Sequence, residues 1–157
     1  MKTPSLKNRK FFFLTALLTF LIDYLTKLWA RNYLINYPEG LNIIGDYLRF
    51  YLVFNPYAVF SISFRIEELH YILPIIGLIF VLIMGLKGEK KIQQVGFGLI
   101  LGGAVGNVGE RIIRGKVTDF IDMGIKELRW PTYNLADFFI VVGILLLLLI
   151  PRVRKKT

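Results

Sequence analysis

The 157-residue sequence contains no cysteine and a single histidine, His70. Without cysteine there is no disulfide framework, no thiolate metal site and no thiol nucleophile, although an oxidising compartment would permit disulfides. One imidazole cannot hold a metal by itself, so His70 reads as a helix-end residue packed at an interface. Acidic groups are also scarce, 11 Asp and Glu against 20 Lys and Arg, which leaves a net charge of +9. That balance suits nucleic acid only if the basic residues line one soluble face among exposed aromatics. Here they collect at the ends of apolar runs, and no nucleic-acid partner is expected.

Hydrocarbon is what the chain has in excess. Hydrophobic residues make up 55% of it and its mean hydropathy is +0.55, too apolar for an ordinary soluble fold. A helix rising ~1.5 Å per residue needs about 20 residues to cross a bilayer. Four stretches approach that length: residues 11–30, 69–86, 92–109 and 134–150. Lys7, Arg9 and Lys10 ahead of the first resemble the basic end of a secretory signal, but no small-residue cleavage site follows. With three further spans present, the first is read as a mature helix.

Lys2, Lys7, Arg9 and Lys10 precede the first span, Lys87, Lys90 and Lys91 lie between the second and third, and Arg152, Arg154, Lys155 and Lys156 follow the fourth. Basic flanks mark the cytoplasmic side, which predicts N-in/C-in topology with residues 31–68 and 110–133 outside. The expected fold is therefore a one-domain (residues 1–157), all-α integral membrane protein with four transmembrane helices. A small extracytoplasmic β-sheet or hairpin is expected between helices one and two, over residues 47–63, where aromatic and β-branched residues surround a turn signal at Asn55-Pro56. A short outer loop or helix is expected between helices three and four.

Charges inside spans cost at least ~2.5 kcal/mol each at the helix centre and need a reason. Asp23 and Lys27 are four apart on one face of the first span, about 18 and 24 Å from its cytoplasmic end. Asn107 lies near the outer end of the third span, Asp137 lies one turn inside the fourth, and Arg111, Asp119 and Asp122 occupy the outer segment just before it. All these polar groups fall at one level, near the outer surface. Asp23 and Lys27 can form a plain structural ion pair. Asp137 has no cation on its own helix, so it must find a partner or hold a proton. A second carboxylate at the same depth, Asp119 or Asp122, would let the two share one proton. One could then activate water while the other hydrogen-bonds a scissile carbonyl, hydrolysing a peptide without metal or covalent intermediate. Gly98, Gly102 and Gly106, spaced by four, form a small-residue stripe that allows close helix packing.

The ordered blocks Asp23-Tyr24-Leu25-Thr26-Lys27, Asn55 to Ser61, Gly102 to Asn107 with Arg111, Gly115 to Phe120, and Tyr133-Asn134-Leu135-Ala136-Asp137 resemble the lipoprotein signal peptidase family over essentially the whole chain. The resemblance implies a bacterial membrane aspartyl endopeptidase with Asp119 and Asp137 catalytic, and it is what selects Asp119 over Asp122. It further implies that Asp23, Lys27, Asn55, Asn107, Arg111, Asn134 and Ala136 line the site, with no metal or other cofactor. Its substrates would be prolipoproteins bearing a diacylglyceryl-cysteine, cut before that cysteine at the outer face of the cytoplasmic membrane, by an enzyme acting as a monomer among membrane lipid. Two positions depart from the family pattern: Glu110 replaces an aspartate, and Pro56-Tyr57 stands where a glycine is usual two residues after the asparagine. A small proton-coupled carrier would also explain intramembrane charge, but it would spread polar groups along a path to both faces. A non-catalytic scaffold would leave the carboxylate pair dispensable.

Overall fold

A computed structural model describes residues 9–56 and 68–149. Four helices, α1 Lys10–Tyr33, α2 Leu69–Lys87, α3 Lys91–Arg114 and α4 Leu135–Leu148, carry four strands, β1 Leu41–Ile44, β2 Leu48–Asn55, β3 Val117–Ile125 and β4 Leu128–Arg129. The strands form one antiparallel sheet in the order β1-β2-β3-β4. The part of the expected sheet or hairpin on residues 57–63, the departure at Tyr57, the side chain of His70, Lys2 and Lys7 at one end and Arg152, Arg154, Lys155 and Lys156 at the other lie outside the described residues.

The protein is built inside out relative to a soluble domain. Asp23 and Asn134 are fully buried and Lys27 is 2% exposed, while Leu14, Leu17, Leu18, Leu21, Ile22 and Leu25 on α1 face outward. In water this arrangement would expose apolar area and sequester charge, both at a cost; in hydrocarbon each preference reverses. Lys10–Asn36 is, among the described residues, the one helical stretch both long and apolar enough to cross a membrane by itself, with mean hydropathy 1.6. The helical parts Tyr71–Lys87 and Leu135–Leu148 are apolar but shorter.

α3 is the centre of the bundle, and its glycines set how near its neighbours come. A Cβ at Gly98 would stand 2.8 Å from the Phe12 carbonyl oxygen, and one at Gly102 would run into Ala16 and Thr19 of α1. On the opposite flank a Cβ at Gly103 would meet the Ala136 carbonyl oxygen of α4 at 2.6 Å. The expected stripe thus packs α3 against α1, and a second set of glycines seats α4.

Two expectations need correction. The segment between α3 and α4 is not a short loop or helix, so the fold is not all-α: Val117–Ile125 is a strand that completes the sheet. Its run Val-Thr-Asp-Phe-Ile-Asp-Met is β-branched and aromatic without a 3.6-residue period, and β2 supplies the partner whose N–H and C=O groups it needs. Asn55 ends β2, and the turn expected at Asn55-Pro56 leads into residues outside those described; β1 and β2 turn at Gly45, where φ is +50°. The third helix also runs past residue 109 to Arg114, where Gly115 in the left-handed region (φ +71°) stops it.

The sheet is held to the helices by a cluster of Ala30, Leu34 and Phe120, with Phe50 and Leu135 packed around it. Trp29 meets Phe50 and Phe120 edge-on at 5.4 and 6.1 Å. Because close packing at α3 leaves no room for a methyl group, Gly102→Ala should destabilise by about 1–3 kcal/mol. Gly109→Ala, whose Cβ meets nothing within 4 Å, should be neutral or better; thermal unfolding in detergent measures both.

Candidate active site

α4 begins at the site, and the way it begins orients the chemistry. Asn134 is the N-cap: its Oδ1 accepts the Asp137 backbone N–H at 3.1 Å, and Asp137 Oδ2 accepts the Asn134 N–H at 3.3 Å. With Oδ1 committed to the helix, the Asn134 amide must present its NH2 elsewhere. It donates to Asp119 Oδ1 at 2.7 Å and to Asn107 Oδ1 at 3.1 Å.

Asn107 is oriented by the opposite device. The Lys27 ammonium, which can only donate, gives a hydrogen bond to Asn107 Oδ1 at 2.6 Å. The Asn107 NH2 is thereby turned toward Asp137 and donates to its Oδ1 at 2.9 Å. Lys27 is itself fixed by an ion pair to Asp23 Oδ2 at 2.8 Å, one helical turn away. The other Asp23 oxygen accepts the Ala136 backbone N–H at 2.9 Å, which ties α1 to the first turn of α4. Gly106 has to be glycine here, since a Cβ would strike the Asp23 carboxylate.

Asp119 enters from β3. In the register that pairs Asn55 with Val117 and Val53 with Asp119, Asn55 lies on the same face and diagonal to Asp119. Its Nδ2 donates to Asp119 Oδ2 at 3.1 Å. Asp122 is three residues on, so it faces the other side of the sheet. There Arg49 Nε and Arg129 Nε each donate to it at 2.8 Å.

The two carboxylates therefore have opposite electrostatics. For Asp119, burial is the largest effect and the nearby Asp137 charge adds to it; together they outweigh Asn55, Asn134 and Lys27 and push its pKa from 3.8 up to about 7. Burial would raise Asp122 too, but hydrogen bonds and charge from Arg129 and Arg49 overcome that and hold its carboxyl below the usual range. Asp122 is a structural anion, and Asp119 is a proton-holding acid near neutrality. Arg111, 5% exposed, lies within electrostatic reach of both Asp119 and Asp137. Among the described residues no group of three His, Asp or Glu is placed to hold a metal ion.

Residues 15–151 match the family profile for signal peptidase (SPase) II. The chain belongs to the signal peptidase II family. It is 39% identical over 129 residues to a lipoprotein signal peptidase of Caldicellulosiruptor bescii, 82% of each chain. An Aquifex aeolicus protein of the same name is 35% identical over 139 residues, 85% of this chain and 81% of that one. A solved bacterial membrane enzyme superposes with a TM-score of 0.73 at 28% identity, covering 91% of this chain and 90% of the other. Membership makes the chain a membrane aspartyl peptidase, and the proton-coupled carrier weighed against it has no support in these relatives.

Every residue singled out from the peptidase motifs, Asp23, Lys27, Asn55, Asn107, Arg111, Asp119, Asn134, Ala136 and Asp137, is drawn into this one region. Sequence reasoning missed the clamp beside it. Glu110 accepts from Arg31 Nη1 at 2.7 Å and from the Thr118 hydroxyl and backbone N–H at 2.6 and 3.1 Å, joining α1, α3 and the residue before Asp119. Its longer side chain, where the family pattern has aspartate, is thus engaged. A signal was available: Arg31 lies one turn beyond Lys27, continuing its polar face.

A carboxyl held protonated to about pH 7 when folded but ionising near 3.9 when unfolded costs stability as pH rises between those values, because the unfolded chain loses its proton first. Stability should therefore fall from about pH 4 to pH 7 by an amount on the order of 3–4 kcal/mol at most. In Asp119→Asn that slope should flatten, and the variant should unfold at higher temperature than the parent at pH 7 but not at pH 4.

Proposed function

We propose that Asp119 and Asp137 are the catalytic pair of this peptidase. It removes the signal peptide from prolipoproteins whose cysteine carries a diacylglyceryl group, cleaving before that cysteine. The observation that carries this reading is the pair of amides, Asn107 and Asn134, each oriented so that it donates to one carboxylate and the two carboxylates share one hydrogen-bonded cluster.

The chemistry follows from one proton held between the two carboxylates, placed on Asp119 in this reading. Asp119 holds its proton toward pH 7 and gives a hydrogen bond to the scissile carbonyl oxygen. Asp137 takes a proton from a bound water, whose oxygen attacks the carbonyl carbon. As the tetrahedral intermediate collapses, the carbon–nitrogen bond breaks and a proton passes to the leaving amine of the lipidated cysteine. Lys27, Asp23 and Ala136 position Asn107 and α4; Asn55 steadies Asp119; the Arg111 charge balances the pair.

The enzyme is a single domain over residues 1–157, acting as a monomer in the bacterial cytoplasmic membrane. Its four helices span with both termini inside, as the basic segments require, so the sheet and the carboxylates face the extracytoplasmic surface. The acyl chains of the substrate then stay in lipid while its scissile bond meets the pair at the membrane boundary.

Detergent-solubilised protein should cleave a diacylglyceryl-modified prolipoprotein. Asp119→Asn and Asp137→Asn should each fold and lose at least ~10²-fold in rate; retained cleavage by a folded variant removes that residue from the pair. The parent's rate should decline as pH rises through about 7, where Asp119 gives up its proton.

A further inference from the structure

A groove of about 410 Å³ lies between α1 and α3, and the mechanism makes no use of it. Its size falls within the ~300–1,000 Å³ typical of small-molecule sites. On α3 it is lined by Val105, Gly106, Gly109, Glu110, Ile113 and Arg114; its apolar part, Val105, Gly109 and Ile113, sits about 120–160° around the helix from Asn107 and Arg111 at ~100° per residue.

The wall is apolar and the rim is cationic. Phe20 and Tyr24 of α1 stack at 6.1 Å and face Val105 and Ile113 across the groove. Ile113 is 83% exposed, a costly position in water and a natural one against an acyl chain. The groove holds Lys27, Arg31 and Arg114 against Asp23 and Glu110, three positive charges to two negative. Lys27 is matched by Asp23, and Glu110 is already occupied by Arg31 and Thr118. Arg114 reaches Glu110 only at 3.8 Å and its side chain is 44% exposed, so the excess positive charge sits on the rim.

We infer that this groove binds an anionic glycerophospholipid, with one acyl chain along Phe20, Tyr24 and Val105 and the phosphate at Arg114 and Arg31. Arginine's planar fork suits a phosphate, and the surplus charge selects a lipid with a net negative headgroup. A diacylglyceryl group, which has no phosphate, satisfies the apolar wall and leaves the rim unmatched; the site is therefore assigned to bulk lipid and not to substrate. Because the groove floor is the Asp23–Lys27 pair, and Lys27 orients Asn107, the lipid would brace the network behind the catalytic pair.

Binding is read without any cleavage assay, so its outcome is independent of the catalytic assignment. Dioctanoyl phosphatidylglycerol would be titrated into the full chain in a maltoside detergent and its unfolding temperature followed. A dose-dependent rise is expected. Arg114→Gln, a change at a half-exposed side chain, should weaken the apparent affinity by about fivefold. Gly109→Leu, which projects into the groove where a Cβ meets nothing within 4 Å, should abolish the rise while unfolding like the parent in detergent alone. Dioctanoylglycerol and dioctanoyl phosphatidylcholine should stabilise less. No rise in the parent, an undiminished rise in either variant, or equal effects from the phosphate-free or zwitterionic lipid would overturn the assignment.

Discussion

The ammonium of Lys27, 2% exposed, is the interaction on which the site depends. A buried cation must be compensated, and Asp23 does so on the same helix. Having three donors and no acceptor, the ammonium then dictates the orientation of Asn107, and that amide can only donate to Asp137. The same constraint runs through Asp23 to the Ala136 N–H, so one ion pair sets both the amide beside Asp137 and the position of the turn that bears it. Glu110 adds a second, longer contact to Lys27 at 3.5 Å, and removing Lys27 would leave Asp23 buried without a cation, a cost of several kcal/mol.

Such a polar centre is affordable only because the helices around it approach very closely. In lipid there is no hydrophobic drive between helices, and association relies on contact and hydrogen bonding. Gly98, Gly102 and Gly106 press α3 against α1, while Gly103 admits the α4 backbone. The same glycines that supply contact area bring Asn107 of α3 between Lys27 and Asp137, so packing and polar connectivity are one design.

The sheet performs a different task. It carries Asp119 to the network from outside the bundle and, by alternation, keeps Asp122 away from it. Two arginines make Asp122 an ordinary anion, and two asparagines without formal charge leave Asp119 able to keep a proton. Glu110 adds the mechanical link, holding Thr118 next to Asp119 while bridging to Arg31 of α1. Carboxylates three residues apart on one strand thus acquire separate roles from the side of the strand they occupy.

Apolar runs, basic flanks and the need of Asp137 for a partner were legible from the sequence, since hydropathy and charge act locally and carry their meaning without a partner. The glycine stripe was legible for the same reason, a four-residue spacing being a property of one helix. Pairing was not. Residues 117–125 have strand character, but whether they form a strand depends on β2, some 70 residues away, offering its backbone. The choice between Asp119 and Asp122 rested on family resemblance, because their compositional surroundings are alike; that the two face opposite sides and meet different partners appears only once the strand forms. The clamp at Glu110 needed Arg31 and Thr118 from separate elements. Sequence determined the solvent this protein is built for and the level at which its charges gather. Tertiary structure decided which of those charges meet, because a hydrogen bond reaches about 3 Å and the chain has to fold before any such distance exists.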